Sequence, residues 1–230
     1  MVAPSTARAA ALISVAAAVA VYVLMLVGYR QDWTWLAGVD TAALDASYDV
    51  AVKHPFWVRF WDGISTVFEP AVFRAVGMVA ALVAVLRHRL RAALFLLLAV
   101  EASGLLTVLA KGSVGRPRPV TALVTASSTS FPSGHALGVM IGVGALLLLA
   151  LPVLRRRNVR VAAVSVGVLV VGAVGVARVA LNVHHPSDVL AGWALGWAYL
   201  TAWALVLQPW RRPGLTESAG APQDDLDDQQ

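Results

Sequence analysis

Lys111, Arg118, His135, Arg178, His184 and Asp188 are the residues whose types and spacing could do chemistry in this chain. They fall in three short clusters: Lys111 with Arg118-Pro119, then Phe131-Pro132-Ser133-Gly134-His135, then Arg178 with His184 and Asp188. Each cluster stands at the end of a long apolar run. Three cations, two imidazoles and a carboxylate beside lipid suit the phosphate of a lipid headgroup. The forked guanidinium donors match phosphate oxygens in charge and shape. Ser133 reads as the N-cap of the helix that follows, and the free N–H groups beyond it form an anion site. Gly134 lets a phosphate approach the backbone closely.

The elements that must position these groups are membrane helices. Of the 230 residues, 59% are hydrophobic and only 13% are charged, and the mean hydropathy is +0.73. A water-soluble domain carries charge on about a quarter of its residues, so this chain needs lipid as its solvent. Six apolar runs, near 9–28, 66–86, 92–110, 133–153, 161–181 and 188–208, predict an all-α, six-transmembrane-helix bundle within a single domain, residues 1–212. The first run is too long for a signal-peptide core and reads as an anchor.

Orientation follows from where arginines collect. Arg8, Arg87, Arg89, Arg91, Arg155, Arg156, Arg157, Arg160, Arg211 and Arg212 all fall on one side of a six-span layout. That side is expected to be cytoplasmic, with both termini inside and the three clusters outside. The net charge of +5 follows from these loop arginines, and no nucleic-acid partner is expected. The chain has no cysteine, which excludes disulfides and thiolate metal sites.

Between Arg30 and Ser65 the chain is too polar to span and is rich in aromatic residues. A short interfacial helical segment on the outer surface is expected there. Gly192 and Gly196 form a small-xxx-small pair that permits close helix packing, within one chain or between chains, so the oligomeric state stays open. Residues 213–230 are acidic and poor in large apolar groups, the composition of a disordered cytoplasmic tail.

The order and spacing of the three clusters resemble the three-part signature of the phosphatidic acid phosphatase type 2 superfamily. In this chain it reads Lys111, six residues, Arg118-Pro119; Pro132-Ser133-Gly134-His135; and Arg178, five residues, His184, three residues, Asp188. The family often places Ser before the third-part arginine, where this chain has Ala177. The resemblance implies that His184 is a nucleophile forming a phosphohistidine that water hydrolyses, with Asp188 orienting its imidazole. His135 would protonate the leaving oxygen, and Lys111, Arg118, Ser133, Gly134 and Arg178 would bind the phosphate. No cofactor and no metal are expected, since three fixed cations supply the charge that magnesium otherwise provides. Spacing selects His184 over His185 and Arg118 over Arg116; the duplicates are expected to be supporting or headgroup contacts. Glu69, Arg74 and Glu101 lie in or near spans, where ionisable groups are expensive.

The expected function is an integral lipid phosphate phosphatase of the cytoplasmic membrane, acting on the extracytoplasmic face. A polyprenyl diphosphate is the favoured substrate. Phosphatidylglycerophosphate, phosphatidic acid or a phosphotransferase reaction are the alternatives. A phosphate-binding transporter or flippase is the non-enzymatic reading, and it leaves His135 and the His184–Asp188 pair without a task.

Overall fold

In the computed structural model, which describes residues 4–210, the regular elements are helices. They run α1 (Pro4–Arg30), α2 (Thr34–Lys53), α3 (Pro55–Val67), α4 (Pro70–Leu86), α5 (Leu90–Leu96), α6 (Ser103–Val114), α7 (Gly134–Ala150), α8 (Arg157–Ala180) and α9 (Pro186–Leu207). A π-helical turn, Leu97–Glu101, joins α5 to α6. Pro55, Pro70 and Pro186 each open a helix in its first turn, where a missing N–H costs nothing. Gly115 ends α6 at φ 69°, the left-handed conformation that favours glycine at this position.

Among the described residues, five helical segments are long and apolar enough to cross a membrane: Thr6–Arg30, Pro55–Leu86, Leu90–Val114, Arg157–Ala180 and Pro186–Leu207. The fourth expected span, α7, has 17 residues and falls below that length. It begins only after Pro132-Ser133, and its C-terminal end meets Pro152 and the arginines beyond. The helix is enclosed by α4, α8 and α9, and Leu137, Val139, Ile141 and Ala145 are fully buried. Other helices turn their apolar side chains outward, as Ile13 on α1, Leu82 on α4 and Leu169 on α8 do. Outward apolar surface of this kind fits hydrocarbon rather than water.

The segment before residue 66 differs from expectation. It forms two helices of 20 and 13 residues, and the second continues through a turn at Phe68-Glu69 into α4. Leu36, Asp40, Leu44 and Ala51 form the buried face of α2, which packs on α8 and α9. The periodicity of that face, one residue about every helical turn, draws the segment against the bundle. Gly192 and Gly196 pack within the chain: a Cβ at Gly192 would lie 2.6 Å from the Ser133 carbonyl oxygen, and one at Gly196 2.9 Å from that of Leu137. The expected acidic tail, with Arg211 and Arg212, lies outside the described residues.

Candidate active site

The sharp reversal between α8 and α9 sets the third cluster. Asn182 adopts φ 51°, and its side-chain amide donates to the Leu44 carbonyl at 3.2 Å and to Thr121 Oγ1 at 3.0 Å. The N–H groups of Val183 and His184 both donate to the Arg178 carbonyl at 3.2 Å. This fold of the backbone presents Arg178 and His184 to one cavity although five residues separate them.

His184 is 1% exposed. Its Nε2 lies 3.1 Å from Arg118 Nη1. A guanidinium has donors only, so Nε2 accepts, and that assigns the ring proton to Nδ1. Nδ1 faces Asp188 Oδ2 at 3.5 Å, beyond normal hydrogen-bond length, and it finds no closer partner. The pair is therefore a facing contact, oriented but not closed. Burial pushes the His184 imidazole down to about 3, against the raising effect of Asp188, and Arg178 and Arg118 depress it further. The ring is thus neutral around pH 7, and its Nε2 lone pair is engaged by the Arg118 N–H.

Asp188 is shared more widely than expected. Its Oδ2 accepts from the His185 N–H at 2.9 Å and contacts His185 Nδ1 at 3.1 Å. Its Oδ1 accepts from Arg116 Nη1 at 2.7 Å. Arg116 also donates to Ser187 Oγ at 2.7 Å and to Asp40 Oδ2 at 2.9 Å, and its guanidinium lies over the Tyr29 ring, 4.6 Å from the centroid. Asp40 in turn accepts from the Ser187 N–H at 3.0 Å and from the Ser187 hydroxyl at 2.5 Å. The two duplicates are therefore both bound to Asp188, and Arg116 is buried, far from any headgroup role.

Six of the eight expected site residues, Lys111, Arg118, Gly134, His135, Arg178 and His184, line one cavity of about 480 Å³. Asp188 and Ser133 stand behind its wall. Ser133 is fully buried; its Oγ accepts from the Ala136 N–H at 3.4 Å, and its own N–H donates to the Asp188 carbonyl at 2.9 Å. That N–H locks α7 to α9 and is not available to a phosphate. Gly134 has a packing reason as well, because a Cβ there would meet Thr107 Cγ2 at 3.0 Å. His135 makes no hydrogen bond to the described residues and borders the cavity.

The cations are hydrogen-bonded by neutral groups, and none of the three has a carboxylate within ion-pair distance among the described residues. Lys111 Nζ donates to the Thr129 carbonyl. Arg118 donates to the carbonyls of Ser128 and Val183 at 2.7 and 2.6 Å. Arg178 donates from Nη1 to Ser65 Oγ at 2.6 Å, and its buried Nε has no partner. Three cations without a carboxylate on them, around one void, form an anion site. A neutral imidazole at its edge can attack a bound phosphorus once the Arg118 N–H turns from Nε2 to the phosphate oxygens.

Sequence reasoning missed Asp40, Ser65 and Ser187. Asp40 had a signal: it continues the Leu36–Leu44 apolar stripe at four-residue spacing, where a carboxylate needs a buried partner. Ser65 and Ser187 carried none.

The sequence model of the PAP2 superfamily matches residues 92–212. Phosphatidylglycerophosphatase B of Bacillus subtilis (strain 168) is 39% identical over 107 residues, which are 45% of this chain and 52% of the relative. The chain thus spans about half the length of the curated relative it matches. Among solved structures, the crystal structure of a transmembrane PAP2-type phosphatidylglycerolphosphate phosphatase from Bacillus subtilis superposes with a TM-score of 0.68 at 23% identity, covering 86% of this chain and 98% of that one. That likeness is one of fold.

Proposed function

The chain belongs to the PAP2 superfamily, and from that premise we propose that it is a membrane lipid phosphatase that works through a phosphohistidine. The observation that carries the reading is the cavity itself, which Lys111, Arg118, Arg178 and His184 line together, with Arg118 on the Nε2 edge of His184. The cations bind the non-bridging oxygens and stabilise the charge that spreads over them in transfer. His184 Nε2 attacks phosphorus, the N–P bond forms as the P–O bond to the leaving group breaks, and His135 delivers the proton to the departing oxygen. His135 then takes a proton from water, whose oxygen attacks phosphorus and releases phosphate and free His184. Asp188, fixed by Arg116 and the His185 N–H, holds the Nδ1 proton of His184 on the correct side.

Phosphatidylglycerophosphate is the leading substrate, because the Bacillus subtilis relatives are phosphatases of that lipid. A polyprenyl diphosphate is the second reading, favoured by a cavity with cations beyond those that one phosphate needs. The bundle is completed by α7 as a sixth, short span: 17 residues at about 1.5 Å each approach the thickness of the hydrocarbon core. The arginine-rich turn at 155–160 then faces the cytoplasm, and the cavity opens on the extracytoplasmic side.

Phosphate release by the purified protein tests the mechanism. His184→Ala is expected to lower turnover of phosphatidylglycerophosphate by at least about 10³-fold with thermal unfolding unchanged. Turnover near the wild-type level would remove His184 from the nucleophile role.

A further inference from the structure

We propose that Arg74 forms a second anion subsite in the same cavity, one that selects lipids bearing a further phosphate on the tail side of the one removed. The inference rests on the phosphatase reading and names the substrate class that this site takes.

Arg74 lies on α4, within the membrane-crossing segment Pro55–Leu86. A guanidinium within such a segment is costly and is ordinarily paired. Yet Arg74 makes no hydrogen bond and no ion pair within 4 Å among the described residues. Glu101 in the π-helical turn lies near enough for the charges to interact, but Glu101 Oε1 is itself without a hydrogen-bond partner. The guanidinium lies against α6, since a Cβ at Gly104 would come within 2.8 Å of Arg74 Nη1. It is also the one cation that the α3–α4 wall contributes to the cavity; the other charged groups on that wall are Asp62 and Glu69.

The position of Arg74 along the cavity gives it a task. Gly104, Thr107, Val108 and Lys111 border the void from α6, and Gly104 lies seven residues, about 10 Å of helix rise, from Lys111. One end of the void holds the cations around His184, and the other holds Arg74. Val108, between them on α6, also lines the void and is 67% exposed, so an apolar side chain stands open on the stretch that leads to Arg74. A lipid bound with its terminal phosphate at His184 would lay its tail along that stretch. Two headgroup chemistries place a second phosphate there: a diphosphate, whose inner phosphate carries the tail, and a glycerol-bridged phosphate, whose phosphodiester carries it. Phosphatidic acid has no second phosphate. Asp62 and Glu69 disfavour anions elsewhere along the α3–α4 wall, which leaves Arg74 as its attractive position.

The test is the ratio of kcat/KM for a two-phosphate lipid to that for phosphatidic acid, measured with phosphatidylglycerophosphate and with farnesyl diphosphate in separate arms. The wild type is expected to favour at least one two-phosphate lipid by about 10-fold or more, and the arm that shows it identifies which spacing Arg74 reads. Arg74→Gln should lower that ratio at least 10-fold, and Arg74→Lys, which keeps the charge but not the fork, should lower it less. A wild type without preference, or an Arg74→Gln variant whose losses are equal on all three lipids, overturns the subsite. Equal losses would make Arg74 a structural companion of Glu101. Failure of the phosphatase reading looks different: no phosphate release from any lipid, or full turnover by His184→Ala. Should Arg74→Gln not fold, the wild-type and Arg74→Lys ratios still decide.

Discussion

The two walls of the cavity differ in kind. One comes from the end of α6, the 115–133 loop, the start of α7 and the α8–α9 reversal, and it supplies Lys111, Arg118, His135, Arg178 and His184. The other comes from α3 and α4 and supplies Ser65, Glu69 and Arg74, while α2 buttresses the site from behind through Asp40. On the proposed mechanism the first wall holds the groups that meet the reacting phosphate, so their types are fixed by chemistry. The second holds groups that position those residues or meet the rest of the substrate, and many residue types could serve such roles in other chains. One wall therefore carries a signature and the other does not.

The strongest way to break this comparison is to remove the bridge between the supporting side and the nucleophile. Arg116→Ala leaves Asp40 and Asp188 buried without their shared cation and should cost about 3–5 kcal/mol of stability, along with activity. Asp40→Asn leaves the Arg116–Asp188 pair in place and should cost clearly less; denaturation of both variants in detergent measures the difference. Equal costs would mean that α2 is as indispensable as the reacting wall.

The next contrast sets Arg178 against Ser65, which are joined by one hydrogen bond of 2.6 Å. Arg178→Ala should lower kcat/KM by about 10²–10³-fold, as loss of a transition-state donor does. Ser65→Ala, which removes only an anchor, should cost less than about 10-fold. A Ser65 effect as large as that of Arg178 would erase the distinction between touching the phosphate and holding what touches it.

The last contrast concerns pH, and its effect is small only per pH unit. Burial holds the His184 pKa at about 3 in the folded protein, whereas an unfolded histidine titrates near about 6.5. Between these values the unfolded chain binds a proton that the folded chain does not. Stability therefore falls as pH drops through that window, by up to about 1.4 kcal/mol per pH unit for this group. His184→Gln should flatten the stability profile there; an unchanged slope would show that His184 is not buried neutral.

Legibility in the sequence followed the same division. The apolar runs gave the helices, because a chain in hydrocarbon must satisfy its backbone internally. The cluster spacings brought Lys111, Arg118, His135, Arg178 and His184 to notice, because phosphate chemistry admits few residue types. Ser133 stands out in the sequence by its N-cap position, and its Oγ does accept from the Ala136 N–H, while its own N–H is taken by the Asp188 carbonyl. The stretch from Arg30 to Ser65 read as a surface segment because its aspartates interrupt its hydropathy. One of those, Asp40, is 2% exposed and lies against a cation 76 residues away.

The sequence by itself determined that this chain is a helical bundle for lipid, with a phosphate-binding signature at the helix ends. Those facts follow from hydropathy and from residue chemistry, both local properties. Only the tertiary structure decided which arginine joins Asp188, and that α2 and α4 add Asp40 and Arg74. These depend on where side chains of distant helices point, and the rotation of one helix against another is set by packing across the whole bundle.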